Sequence, residues 1–157
     1  MRIKEVMTKN MVVANPDTTL EEASNMMKNY DIGFLPVEKD DDFVGVITDR
    51  DIVIRAIANG KDTNETIENY MTNYIISISS DSSLEDTLKI MASEKIKRLM
   101  IEEKHKIIGM VSLSDILNKQ DDDDFLEYVI AIFEPMTDAV ITNEIDIPQA
   151  EVDEFEL

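Results

Sequence analysis

Gly45-Val46-Ile47-Thr48-Asp49-Arg50-Asp51 decides the fold, because a near-copy, Gly109-Met110-Val111-Ser112-Leu113-Ser114-Asp115, stands 64 positions later (109 − 45). Each copy reads as a buried strand that runs directly into a helix, with a hydroxyl at the junction and an Asp three residues on. Working outward, a shift of 64 aligns Ile3–Ile52 with Ile67–Ile116 without a gap. Identities include Met7-Thr8 with Met71-Thr72, Asp17 with Asp81, Leu20-Glu21 with Leu84-Glu85, Met27 with Met91, and Leu35 with Leu99. Two copies are too few for a solenoid, so the repeat predicts a pseudo-twofold pair.

Within each copy the hydrophobic period changes in the same order. A short apolar run, Met11–Ala14 or Ile75–Ile78, reads as a strand. Helix starts follow, with the capping boxes Thr18-x-x-Glu21 and Ser82-x-x-Glu85. Leu20, Ala23 and Met27, and likewise Leu84, Leu88 and Met91, fall on one helical face. Two more strands are expected, Phe34–Val37 with Phe43–Thr48 and Arg98–Glu102 with Ile107–Ser112. Asp40–Asp42 and Lys104–Lys106 form the turns between them. The last helix of the first copy is expected from Asp51 to Asn59, with Gly60 as its C-terminal cap. The fold class is therefore α+β (α/β), with two β-α-β-β-α units. The expected divisions are 1–62 for the first repeat, 63–120 for the second, and 121–157 for an acidic extension that is ordered in part at most. Phe125–Phe133 is apolar enough to be a helix or strand that docks, and Pro135 ends it.

A chain of 157 residues suffices for one ordinary domain or for two small units sharing a core. With 43% hydrophobic and 31% charged residues, a soluble globular protein is expected. No apolar run approaches the roughly 18 residues of a membrane span. Residues 1–10 lack the apolar core of a signal peptide, and the default location is cytoplasmic. The absence of Cys excludes disulfides, thiolate metal sites and a Cys nucleophile. The net charge of −19 argues against nucleic acid or an anionic membrane as partner, since both need a basic footprint. Thirteen of the acidic residues and no Lys or Arg lie in 121–157. That tail reads as a solubilising extension or as a segment that docks a protein partner.

Catalytic constellations are missing. None of the four glycines sits in a phosphate-cradling GxGxxG or GxxxxGK[ST] loop. The one histidine, His105, falls in a turn between two lysines and reads as a solvated turn residue. Asp40–Asp42 and Asp121–Asp124 lack the spacing and the Gly of an EF-hand loop. No nucleophile has a base in reach, and no metal site is expected. An enzyme is the poorest reading.

Thr48-x-x-Asp51 and Ser112-x-x-Asp115 match a helix capping box, although Glu or Gln is the usual third partner and Asp reaches back less well. The same geometry also suits a ligand. A helix N-terminus offers unpaired amides to phosphate, and a nearby Asp can accept hydrogen bonds from two ribose hydroxyls. The residues by themselves leave cap and ligand site both open.

The repeat resembles the CBS domain family, named after cystathionine β-synthase, arranged as the tandem pair called a Bateman module. The resemblance covers nearly all of 1–119. It rests on Val6-Met7-Thr8 and Asn69-Tyr70-Met71-Thr72, Asn15-Pro16-Asp17-Thr18-Thr19-Leu20, Ile32-Gly33-Phe34-Leu35-Pro36-Val37, and the paired corners, with Gly109–Leu117 especially close. It implies a stand-alone regulatory module whose repeats pack through their sheets about a pseudo-twofold axis, leaving two clefts for adenine nucleotide (AMP, ADP or ATP).

By position, Thr48 and Asp51 serve one ribose, and Ser112 and Asp115 the other. Arg50 and Ser114 add polar contacts inside the corners, and Thr8 and Thr72 join the set from the openings of the repeats. Val12, Val13 and Ile76 flank adenine, with Ile32, Phe34 and Ile96 on the next strand. Lys97-Arg98 match the family's basic pair near the phosphates. Gly33-Phe34 stand at that place in the first repeat, so the two clefts are expected to differ in affinity. The ligand is regulatory, no cofactor is expected, and Mg²⁺ accompanies the ligand if it is ATP. A homodimer is implied. The rival readings are another adenosyl ligand (S-adenosylmethionine or a cyclic dinucleotide), and an interaction scaffold whose clefts are unused.

Overall fold

The computed structural model describes residues 1–119 and 125–133. The readings of Asp121–Asp124 and of the acidic chain beyond Phe133, with its docking to a protein, lie outside the described residues. In the first repeat, helix α1 (Leu20–Tyr30) is followed by the hairpin β1 (Phe34–Lys39) and β2 (Asp42–Thr48). Helix α2 (Asp49–Asp51) then runs on through a π-helical turn, Ile52–Ala56, and a 3-10 turn, Ile57–Asn59. Gly60, at φ +67°, closes it where the sequence predicts a cap. The second repeat contains β3 (Ser77–Ser79), α3 (Leu84–Glu94), β4 (Arg98–Glu103), β5 (Lys106–Ser112) and α4 (Leu113–Leu117). Phe125–Phe133 supplies helix α5 (Leu126–Phe133), which packs on α3 and buries Ile132.

The two hairpins keep one register at the 64-residue offset. Phe34 faces Thr48 and Val37 faces Gly45, as Arg98 faces Ser112 and Ile101 faces Gly109. A bulge follows Val37 in one and Ile101 in the other. Both hairpins turn on two successive residues at positive φ, Asp40-Asp41 and Lys104-His105, as tight two-residue turns require.

Two expectations need correction. Met11–Ala14 is not a strand: only Ala14 pairs, with Val37. In the second repeat the parallel ladder of β3 on β4 includes Met100 N–H to Ile76 O (3.2 Å) and Ser80 N–H to Glu102 O (2.9 Å). The donors at the matching positions of the first repeat are Pro36 and Pro16, which have no N–H. Two of the bonds cannot form, and the ladder shrinks to Ala14 N–H with Pro36 O and Glu38 N–H with Ala14 O.

The helix caps also stand one residue later than expected. Thr19 caps α1 in a reciprocal box with Glu22, whose carboxyl it holds below the usual range, and Ser83 caps α3 over Asp86. The Thr18 hydroxyl is occupied by the Asn15 N–H at 3.0 Å.

The openings of the repeats are exchanged. Ile3 is buried in the core of the second repeat among Leu88, Leu99 and Ile116. Ile67 and Tyr70 are buried in the core of the first, among Leu20, Leu35 and Ile47. The hydrogen bonds repeat at the same offset: Ile3 N–H to Ser82 O, Ile67 N–H to Thr18 O, and mutual pairs between Thr8 and Met110 and between Thr72 and Val46. This reciprocity is the pseudo-twofold axis in atomic form. It also explains the glycine that begins each corner motif, because a Cβ on Gly45 would stand 2.2 Å from Thr72 O and one on Gly109 2.7 Å from Thr8 O.

Candidate functional site

Each corner is set by an abrupt change from strand to helix. Thr48 caps α2 by accepting the Asp51 N–H at 3.1 Å, and Asp51 Oδ2 accepts the Thr48 N–H at 3.0 Å. Asp51 therefore does reach back. Its other oxygen, Oδ1, lies 3.2 Å from Arg55 Nη2, while Arg55 Nη1 donates to Tyr70 O at 2.8 Å. Each Asp51 oxygen thus has one partner inside the corner, the Thr48 N–H on Oδ2 and Arg55 on Oδ1. The second corner is tighter. Asp115 Oδ2 accepts from the Ser112 N–H at 2.8 Å and the Ser112 hydroxyl at 2.6 Å, and Ser112 and Ser114 share a hydrogen bond.

Between the repeats lies a cleft of about 520 Å³. The first repeat contributes Gly33, Phe34, Val46 and the corner Thr48–Asp51; the second contributes Thr72, Tyr74, Ile76, Lys95–Arg98 and Met100. Ten of the residues singled out from sequence are thereby brought together: Gly33, Phe34, Thr48, Arg50, Asp51, Thr72, Ile76, Ile96, Lys97 and Arg98. Thr8, Val12, Val13, Ile32, Ser112, Ser114 and Asp115 do not line it. Apart from Val13, whose counterpart Ser77 lies outside the cleft, they occupy the pseudo-symmetric positions on the other side of the axis, where Thr8 pairs with Met110 just before Ser112.

Near the axis the equivalent residues Phe34 and Arg98 meet, with the guanidinium 5.6 Å from the ring centroid. Gly33 allows a carboxylate against the backbone, since a Cβ there would stand 2.5 Å from Asp49 Oδ2. Asp49 Oδ1 in turn accepts the Arg50 N–H at 2.8 Å. The cleft thus holds four cations, Arg50, Lys95, Lys97 and Arg98, against the carboxylates Asp49 and Asp51. Among the described residues Arg50 and Arg98 form no ion pair. The pseudo-equivalent positions are Ser114, Asp31, Gly33 and Phe34, facing Leu113 and Asp115, and include no cation. In a chain of net charge −19 this cleft is a local basic site with apolar walls.

Val46, Asp49, Tyr74, Lys95 and Met100 complete the lining and were not anticipated from sequence. Lys95 could have been found from the basic run Lys95-Ile96-Lys97-Arg98. Tyr74 carries no comparable signal. Among the described residues, no group of three His, Cys, Asp or Glu side chains is placed to hold a metal. No described helix is long and apolar enough to cross a membrane.

A reciprocal pair of α-β-β-α units, the second with a leading strand as well, and a cleft between its halves define a tandem CBS architecture, and the CBS domain family model matches the chain twice, at residues 3–57 and 67–122. The chain belongs to the CBS domain family. It is 33% identical to the CBS domain-containing protein YhcV of Bacillus subtilis over 118 residues, which cover 75% of this chain and 84% of that protein. Among solved structures, an uncharacterized conserved protein from Pyrococcus horikoshii superposes with a TM-score of 0.72 at 37% identity, over 77% of this chain and 92% of that one. The CBS domain pair of protein MJ0100, solved in complex with 5′-methylthioadenosine and S-adenosyl-L-methionine, has a TM-score of 0.68 at 25% identity, over 76% of this chain and 98% of that one.

Proposed function

We propose that the cleft binds an adenine nucleotide (AMP, ADP or ATP, with Mg²⁺ in the last case) and that the chain reports its occupancy to a partner. The observation that carries this reading is the gathering of four cations, apolar walls and a hydroxyl-bearing helix start in one 520 Å³ space between the repeats. Phe34, Ile76 and Ile96 offer apolar surface to the base, and Thr48 and Thr72 offer hydroxyls to the sugar. Arg50, Lys97 and Arg98 suit phosphate oxygens, with Arg able to bind two at once. Arg98 is half-buried against Phe34, which holds its fork in place. Each Asp51 oxygen has one partner, Thr48 N–H or Arg55, and keeps a further lone pair for a ribose hydroxyl. In this reading two chains associate through the exposed apolar face of Val53, Ile54 and Ile57. Ligand then acts by binding one arrangement of that dimer more tightly than the other.

A second reading keeps the cleft and changes the ligand to a phosphate-free adenosyl compound, as in the MJ0100 complex. Arg98→Ala separates the two in calorimetric titrations. A lost charge-assisted hydrogen bond of about 1.5–3 kcal/mol predicts roughly a 10- to 100-fold weaker Kd for ATP. Binding of S-adenosylmethionine should be nearly unchanged. No heat from AMP, ATP or S-adenosylmethionine would leave the interaction-scaffold reading standing alone.

A further inference from the structure

Lys95 and Lys97 serve two structures at once. Both line the cleft, and both also hold α5. Lys95 Nζ donates to the carbonyl of Ala131, and Lys97 Nζ stands 4.2 Å from the centroid of the Phe133 ring. Ala131 is in the last turn of α5, where carbonyls lack a partner within the helix and the helix dipole is negative. A lysine is therefore a natural closing group for that end. Lys95 reaches it from the left-handed residue that terminates α3, at φ +55°. The pseudo-equivalent positions in the first repeat are Asp31 and Gly33, which could do neither job.

A neutral carbonyl and an exposed ring are weak holds on an ammonium compared with a phosphate, whose charge is complementary and whose oxygens accept several hydrogen bonds. We propose that α5 is a latch released by phosphate-bearing ligand: an anion in the cleft draws Lys95 and Lys97 toward itself and loosens the end of the helix. The rest of the helix remains attached through Val129, packed against the core of the second repeat, and Tyr128, whose hydroxyl lies 3.4 Å from Glu85. Occupancy then changes how firmly α5 is held, without any unfolding of the repeats. Because linkage is reciprocal, loosening α5 must tighten ligand binding by the same factor.

This proposal rests on the nucleotide reading of the cleft, and one experiment can separate the two. The full chain and a Phe133→Ala variant are titrated with ATP and with adenosine by calorimetry, and amide exchange over 126–133 is followed with and without saturating ATP. Phe133 is 59% exposed, so its truncation spares the core. Loss of the ring's hold on Lys97 predicts roughly two- to five-fold tighter ATP binding in the variant, with adenosine unchanged. ATP should also speed exchange over 126–133 in the unmodified chain. Equal ATP affinity in both chains with unchanged exchange overturns the latch and leaves the nucleotide site intact. Equal tightening of ATP and adenosine overturns competition for phosphate and makes α5 a simple obstruction. Failure of ATP to bind either chain overturns both proposals together.

Discussion

Gly45 and Gly109 look interchangeable in the sequence, yet the backbone carbonyl that excludes a side chain stands closer at one than at the other. At Gly45 the obstacle is backbone: a Cβ would meet Thr72 O at 2.2 Å. At Gly109 the contact is 2.7 Å to Thr8 O, with the flexible Met7 side chain next. Gly45→Ala should therefore cost more stability than Gly109→Ala, roughly 1–3 kcal/mol as for other overpacking changes. Chemical denaturation midpoints of the two variants check the order; equal midpoints would remove backbone proximity as the reason for these glycines. Both residues were legible as parts of a repeated motif, but the crossing segment that forbids each side chain was not, because it comes from the other repeat. Asp51 teaches the same lesson. Its spacing from Thr48 announced a capping box, whereas Arg55 four residues on, a routine helical neighbour, settled where its second oxygen points.

The elements divide in the same way. Helices α1 and α3 and both hairpins follow from periodicity and turn residues, since those signals are local. The strand expected at Met11–Ala14 failed because Pro16 and Pro36, visible in the sequence all along, act only once pairing partners are known. The 3-10 turn Ile67–Asn69 is another product of tertiary context. Tyr70, which follows it, is buried and its hydroxyl donates to Glu65, which pushes the phenol pKa up to about 12. A raised pKa means that the folded state holds this proton more tightly. The stabilisation is therefore full below pH 10 and is lost as pH rises toward 12. Tyr70→Phe removes it at every pH, so melting temperatures of the two proteins should differ at neutral pH and converge between pH 10 and 12. A constant difference across that window would show that the hydrogen bond contributes nothing through its proton.

Across the whole molecule the exchanged openings tie the repeats together more firmly than a shared surface would. Arg2 and Lys4 both pair with Asp81, at 2.7 and 2.8 Å, and hold its carboxyl below the usual range. These exposed pairs add little energy. Ile3, fully buried, carries the attachment. Ile3→Ala should cost about 2–5 kcal/mol. Its effect should appear first as faster amide exchange in α3, β4 and β5, with α1 and β1 less affected. Faster exchange confined to the first repeat would contradict the exchange of openings. The cleft belongs to this scale too. Its chemistry was readable as residue types, but the union of Thr48–Asp51 with Lys97-Arg98 in one space required the packing of the two halves.

The exchange also sets an order of assembly as the chain leaves the ribosome. The first repeat can complete its core once Ile67–Thr72 has emerged. Ile3 and Thr8 must wait for Ser82 and Met110, 79 and 102 residues further on (82 − 3 and 110 − 8). Residues synthesised ahead of both repeats' cores thus dock only after the first core can close, a long-range step of the fold.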